Sequence, residues 1–324
     1  MFIDKRAATA ALVTACLASA DFTSGEVRAA DYPERTVDLV IPYPAGGGID
    51  LLLRALAEGL SAHFKQSFIV SNRTGAGGAI GVSYVARSTP DGYTLLFVPA
   101  LAYSVLPLMQ SVGYDAKSLA PICQTFENQM ALIVRPDSPL RSVRDVVELA
   151  RASPDRASYA ATAAGTITHL AAAALADAAK VKLNHVPFRG DGELMGQLIG
   201  GHVDFASVTL ASAAAAGPSV RVIGIFAGAR NPTLPDAPTV KEQGYDVAPT
   251  SFGGLFAPAA VPGDVMARLA TGCRFAVQQP AYADLAKRLH QGSDYYADAA
   301  TFAKRLELDV AEKRQLLMRL GLAQ

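Results

Sequence analysis

The sequence has no tryptophan, three cysteines among 324 residues and only 18% charged side chains. Basic and acidic residues balance at 29 each, so no net field draws the chain to a nucleic acid or to an acidic membrane surface. Beyond the N-terminal segment no apolar run reaches the length of a membrane-spanning helix, about 20 residues. No Gly-Lys-Ser/Thr closes a phosphate loop, no His-Glu-x-x-His marks a zinc hydrolase, and no Gly-x-Ser-x-Gly marks a nucleophile elbow. His63, His169, His185, His202 and His290 stand at no ligand spacing from one another or from a cysteine, so neither a metal nor another cofactor is expected. No repeat of fixed period is present. What is there is 51% apolar residues, enough for sizeable cores, in a chain long enough for two α/β domains.

The N-terminal segment differs from the rest. Lys5 and Arg6 precede an apolar stretch from Ala7 to Ala20, and Ala18-Ser19-Ala20 is a small-x-small cleavage site. This pattern predicts a secretory signal peptide over residues 1–30 and a periplasmic mature protein. Val13-Thr14-Ala15-Cys16 also fits a lipoprotein cleavage box, which leaves a lipidated Cys16 as the alternative. Without that segment only Cys123 and Cys273 remain. So far apart in the chain, they are expected to be buried small apolar residues rather than a disulfide framework, and spacing alone leaves their redox state open.

The mature chain is organised around Val37-Asp38-Leu39-Val40-Ile41-Pro42-Tyr43-Pro44-Ala45-Gly46-Gly47-Gly48-Ile49-Asp50. A short apolar strand ends at two prolines, and three glycines lead into a helix carrying Leu52, Leu53, Leu56 and Leu60. Glycines leave backbone N–H groups uncovered, and a helix start adds unpaired amides and the positive end of its dipole. The unit recurs: strand Phe68-Ile69-Val70, loop Asn72-Arg73-Thr74-Gly75-Ala76-Gly77-Gly78, helix from Ala79. Neither loop fits Gly-x-Gly-x-x-Gly, and the plain reading of each is a tight turn without a ligand. A third loop, Ala161 to His169, opens an alanine-rich helix and offers the hydroxyls of Thr162, Thr166 and Thr168. Its plain reading is a threonine N-cap, with His169 a packed residue.

Strands and helices alternate, as in parallel sheets with right-handed crossovers. The pattern breaks where Leu119–Thr125 and Met130–Val134 follow each other with no helix between, and again at Phe252–Pro258. Both places are expected to carry the chain from one domain to another, and two such segments make a hinge.

Tyr32-Pro33-x-x-x-Val37, Pro42-Tyr43-Pro44-Ala45-Gly46-Gly47-Gly48-x-Asp50, Asn72-Arg73-x-Gly75-Ala76-Gly77-Gly78, Pro90-Asp91-Gly92-Tyr93-Thr94-Leu95, Gly165-Thr166-x-Thr168-His169, His185-Val186-Pro187-Phe188-Arg189-Gly190 and Leu234-Pro235-Asp236-Ala237-Pro238-Thr239 together resemble the Bug-type solute receptors of tripartite tricarboxylate transport systems. The resemblance covers essentially the whole mature chain. It implies an α/β protein with the class II periplasmic-binding-protein fold, two Rossmann-like lobes joined by a two-segment hinge. Lobe I is expected to comprise residues 31–124 plus 253–324, and lobe II residues 125–252. It implies a monomeric, non-enzymatic receptor that clamps a small carboxylate and serves integral membrane transporter subunits; the alternatives are a periplasmic carboxylate sensor signalling to a membrane kinase and, after it, a secreted hydrolase with a triad built in space. The contacts it implies fall on Tyr43, Ala45, Gly48, Ile49 and Asp50, on Ala76, Gly77, Gly78 and Ala79, on Thr162, Ala164, Thr166, Thr168 and His169, and on Asp204. Ile49 and Ala164 stand where polar residues are common in that family, and Thr74 replaces a usual proline. These departures suggest a less polar monocarboxylate, aliphatic or aromatic, in place of a small dicarboxylate.

Overall fold

The computed structural model describes residues 32–153, 157–292 and 295–323. The expected signal peptide and Cys16 lie outside the described residues. The chain runs through β1 (Val37–Ile41), α1 (Gly48–Phe64), β2 (Phe68–Asn72), α2 (Ala79–Ala86), β3 (Thr94–Pro99), the short helices α3 (Ala100–Ser104) and α4 (Leu106–Met109), and β4 (Leu119–Asn128). It then builds a second set: β5 (Met130–Val134), α5 (Val143–Ala152), β6 (Ser158–Thr162), α6 (Ile167–Ala179), β7 (Asn184–Phe188), α7 (Asp191–Ile199), β8 (Phe205–Thr209), α8 (Leu210–Ala216) and β9 (Arg221–Phe226). It returns through β10 (Ser251–Pro258) to α9 (Gly263–Val277), α10 (Pro280–Arg288), β11 (Ala297–Asp298) and α11 (Ala299–Arg319).

Two sheets result, each the centre of one lobe. The first has six strands in the order β11-β4-β10-β3-β1-β2, and the second has five in the order β7-β6-β8-β5-β9. The expected alternation holds where helices connect the strands: β1 pairs in parallel with β2 and β3, and β6 with β7 and β8. The sheets are nevertheless mixed. β10 runs antiparallel to β3 and β4, and β5 antiparallel to β8 and β9. These are the strands that enter or leave a lobe, so no crossover helix sets their direction.

The continuous apolar run of β5 has a simple cause. Met130, Leu132 and Val134 pack into one core with helix residues Val143, Val146, Val147 and Leu175. Ala131 and Ile133, on the alternate face, pack into a second core with Leu194, Leu198, Leu210 and Ala213. Helices cover both faces, so every position of the strand is apolar. In the first lobe Val40, Leu96, Val98 and Phe256 meet Val82, Val85, Phe302 and Leu306 on one face.

Cys123 of β4 and Cys273 of α9 form a disulfide. The expectation of two separate buried cysteines is corrected by the packing of α9 across β4, which brings together residues 150 positions apart. The burial was read rightly: both are 0% exposed.

Arg305 of α11 braces the crossings. Its guanidinium donates to both Glu127 carboxylate oxygens at 2.7 and 2.9 Å and to Thr250 Oγ1 at 3.0 Å, and lies over the Phe252 ring. Glu127 ends the outgoing segment and Thr250 begins the returning one, so one side chain pins both. The chain from Pro33 onward forms one compact unit.

Candidate functional site

Asp50 organises the first two loops. It is 2% exposed, and its Oδ2 accepts from the Gly46 amide at 2.9 Å and from Arg54 Nε at 2.9 Å. Its Oδ1 accepts from Asn72 Nδ2 at 2.9 Å and from Arg54 Nη2 at 3.2 Å. Asn72 Nδ2 also reaches the Tyr43 carbonyl at 2.9 Å. Burial pushes the Asp50 carboxyl up, but the Arg54, Gly46 and Asn72 bonds outweigh it and hold the group below the usual carboxylate range. Asp50 therefore staples the β1–α1 turn to the β2–α2 turn, and the Arg54 charge is spent inside that staple. Behind it, Gly78 adopts φ +106, and a Cβ there would stand 3.5 Å from Pro42 and 3.6 Å from the Tyr43 hydroxyl. Burial raises the Tyr43 phenol to about 12, so it stays protonated.

The third loop is organised by its own side chains. The Thr162 hydroxyl lies 2.8 Å from that of Thr166 and 2.7 Å from that of Thr168, and Thr166 also donates to the Ala163 carbonyl at 2.7 Å. His169, 7% exposed, accepts the Gly165 amide proton on Nδ1 at 3.2 Å. Its ring centroid is 4.3 Å from that of His185, whose Nε2 meets the Thr162 carbonyl at 3.0 Å. Burial, aided by His185, depresses His169 to about 4, and burial depresses His185 as well. Both imidazoles are neutral props beneath the loop. Gly165 sits at φ +81 directly under Met109 of α4, and a Cβ would come 2.4 Å from the Met109 sulfur. First-lobe α4 thus rests on this second-lobe turn; Leu106 of α4 lies near Gly77, and Gln110, which follows the helix, lies 3.5 Å from the Ala76 carbonyl.

The helices that begin at these loops carry no side-chain cap. Gly47 precedes α1, Gly78 precedes α2, and Thr166, although at the N-cap of α6, makes no capping bond because its hydroxyl is turned to Ala163 and the other threonines. By contrast Ser142 and Asp145 form a capping box on α5, Thr209 caps α8, and Asp298 caps α11.

A crevice of about 350 Å³ lies between the lobes. Gly48 and Ile49 form one wall, and Thr209, Ala211 and Ser212 form the opposite one. Asn128 and Gln129 of the outgoing crossing also line it, as do His290 and Leu289, whose methyls would stand 3.7 Å from a Cβ on Gly48. No lysine or arginine lines it. A larger groove of about 1030 Å³, which Ala76 and Ala79 share with Arg35 and Arg87, runs along α2 and belongs to the first lobe alone.

The expected site residues therefore divide. Gly48 and Ile49 line the crevice, with Asp50 locked behind them. Tyr43 and the exposed Ala45 lie on the β1–α1 turn, and Gly77 and Gly78 on the adjoining β2–α2 turn. Thr162, Thr166, Thr168 and His169 form the α6 turn, where Ala164 is exposed. Asp204 is elsewhere. Its Oδ2 accepts from the Ser158 amide at 2.9 Å and hydroxyl at 3.0 Å, at the N-terminal end of β6, whereas Thr162 ends that strand. Asp204 precedes β8, and in an open α/β sheet ligands sit at the carboxyl ends. At that end Thr209 closes β8 and Ser212 lies in the first turn of α8; both line the crevice, and neither is among the residues expected from the sequence. Their signal was a hydroxyl residue closing an apolar strand ahead of a small-residue helix, the same cue that marked the third loop.

The model of the family described as the tripartite tricarboxylate transporter family receptor matches residues 52–322. The chain belongs to that family. Protein BugT of Bordetella pertussis is 31% identical over 68% of this chain and 69% of its own. A TctC solute-binding protein from Polaromonas, solved with no ligand, superposes with a TM-score of 0.80 at 29% identity, covering 89% of this chain and 99% of that one. A protein of R. palustris solved with adipate superposes with a TM-score of 0.75 at 26% identity, covering 90% and 99%. The two sheets and their crossings are those of a Bug-type receptor with a periplasmic-binding-protein fold. Among the described residues no helix is long and apolar enough to cross a membrane, and no group of His, Cys, Asp or Glu is placed to hold a metal ion.

Proposed function

We propose that this receptor is exported to the periplasm, captures a small organic carboxylate between its lobes as a monomer, and delivers it to the integral membrane subunits of a tripartite tricarboxylate-type transporter without transforming it. The observation that carries this reading is the crevice shared by the start of α1 and the start of α8. A site split between two bodies joined by two crossing segments is the arrangement that domain closure acts on. The lobes that move are those expected from the sequence, 31–124 with 253–324 against 125–252, swinging about the segments near Gln129 and Thr250.

The carboxylate is received by the amides at the α1 start, supported by the α2 and α6 turns. Their helix dipoles attract an anion, and no side-chain cap competes for those donors. Tyr43, Ala45, Gly48, Ala76 to Ala79 and the Thr162 to His169 turn contribute shape and main-chain donors. Ile49 and Leu289 give the crevice apolar surface, which suits a ligand with a hydrocarbon portion. The adipate held by the R. palustris relative supports an organic acid as the ligand class.

Small-angle scattering tests the reading directly. With a saturating carboxylate identified by a thermal-shift panel, the radius of gyration should fall. A bound ligand that leaves the scattering curve unchanged refutes the clamp.

A further inference from the structure

The second-lobe wall of the crevice carries a directed chain of hydrogen bonds. Thr209 Oγ1 donates its proton to Ser212 Oγ at 2.8 Å, and Ser212 Oγ donates its own to the Asp191 carboxylate at the start of α7. Thr209 Oγ1 also accepts the Ser212 amide proton at 3.2 Å, which caps α8. A hydroxyl has one proton to give. Both are already given, and the chain ends on a carboxylate that has none. What Thr209 and Ser212 still offer a ligand is lone pairs.

The other wall is the opposite in kind. Gly48 and Ile49 belong to a helix start rich in unpaired N–H groups, beside which Arg54 is already paired with Asp50. No lysine or arginine lines the space between, where the His290 imidazole and the Asn128 and Gln129 side-chain amides lie. The hydroxyl side chains of the second-lobe wall are therefore acceptors backed by a negative charge, set across from the main-chain donors of the α1 start.

We propose that the ligand carries one carboxylate and, at its far end, a hydrogen-bond donor: a hydroxy- or amino-carboxylic acid, with Ser212 and Asp191 as the residues that exclude dicarboxylates. This rests on the receptor function proposed above. The carboxylate seats on the α1 amides, the hydrocarbon portion passes Ile49 and Leu289, and the distal hydroxyl or ammonium donates to Ser212 Oγ. A second carboxylate placed there finds both hydroxyl protons already given and faces Asp191 with no lysine or arginine to offset it.

Calorimetry with hexanoate, 6-hydroxyhexanoate, 6-aminohexanoate and adipate, and with their shorter counterparts, tests this. At one or more chain lengths the hydroxy or amino acid should bind at least about tenfold tighter than the dicarboxylate of equal length. Asp191→Asn should shrink that ratio at least about tenfold by removing the charge. Ser212→Ala, which leaves Asp191 in place, should weaken the hydroxy acid while sparing the simple monocarboxylate. A wild-type preference for the dicarboxylate at every length overturns the polarised wall and leaves the receptor function standing. Failure of every carboxylate to bind overturns both.

Discussion

Removing the Cys123–Cys273 bond is expected to destabilise the protein more than any single contact described here. The bond closes a loop across 150 positions, running from β4 out through the whole second lobe and back to α9. Chain-entropy reasoning for a loop of that length gives about 5 kcal/mol of restriction on the unfolded chain, and measured losses for native disulfides run from about 2 to 5 kcal/mol. Both sulfurs are fully buried, so paired Cys123→Ala and Cys273→Ala substitutions also remove apolar packing, and the total should stand near the upper end of that range. Urea denaturation followed by circular dichroism, wild type against double variant and each with and without reductant, reads the effect. The variant midpoint should fall, and reductant should move the wild type towards the variant while leaving the variant unchanged. Peptide mapping without reductant should return the two cysteine peptides as one species. A double variant within about 1 kcal/mol of wild type, together with two free thiols at these positions, refutes both the pairing and the loop reasoning. Because such bonds persist in oxidising compartments, the same result bears on export.

Asp50→Ala strips three partners from one buried carboxylate and should cost about 3 kcal/mol in urea melts while weakening carboxylate binding, since the two glycine turns lose their staple. His169 has a folded pKa of about 4 against an ordinary 6.5, so the unfolded chain takes up its proton first as the solution is acidified. Stability is full above pH 6.5 and falls between there and pH 4, by at most about 3 kcal/mol; His169→Asn, which keeps an acceptor for the Gly165 amide, should flatten that slope in melts run across the interval. Gly165→Ala forces an L residue into φ +81 against the Met109 sulfur and should cost at least about 1 kcal/mol, more than the same change at Gly192, where a Cβ meets nothing. Arg305→Met leaves Glu127 without its two-pronged partner and should lower stability by about 3 kcal/mol, with a wider spread of lobe orientations in scattering.

The fold was readable because its information is local. β5 is apolar at every position because helices cover both faces, and the glycine runs after β1 and β2 can only be turns into helices. At the two places where strands follow each other without a helix, the chain passes from one sheet to the other. Their antiparallel direction was not seen, since direction is fixed by which sheet edge the strand joins. The disulfide escaped for the same reason. Cys123 and Cys273 carry no mark of proximity until α9 is laid across β4. Asp204 was drawn into the site by the family resemblance, yet the strand it precedes presents its other end to the crevice.

The crevice was half legible, and the difference between its halves is physical. The α1 wall works through main-chain amides, and the residues that expose amides, glycine and the absence of a capping side chain, can be read one loop at a time. The α8 wall works through the direction in which protons are donated. Thr209 is a recognisable N-cap and Ser212 an unremarkable small polar residue, and taken alone either hydroxyl is able to donate or accept. Only the arrival of Asp191, from the start of a different helix, consumes the last proton and turns the wall into an acceptor. On the proposal made above, selectivity at such a wall is set by a residue outside the crevice lining, so that relatives with the same glycine loops would differ in ligand through a single change at the start of α7.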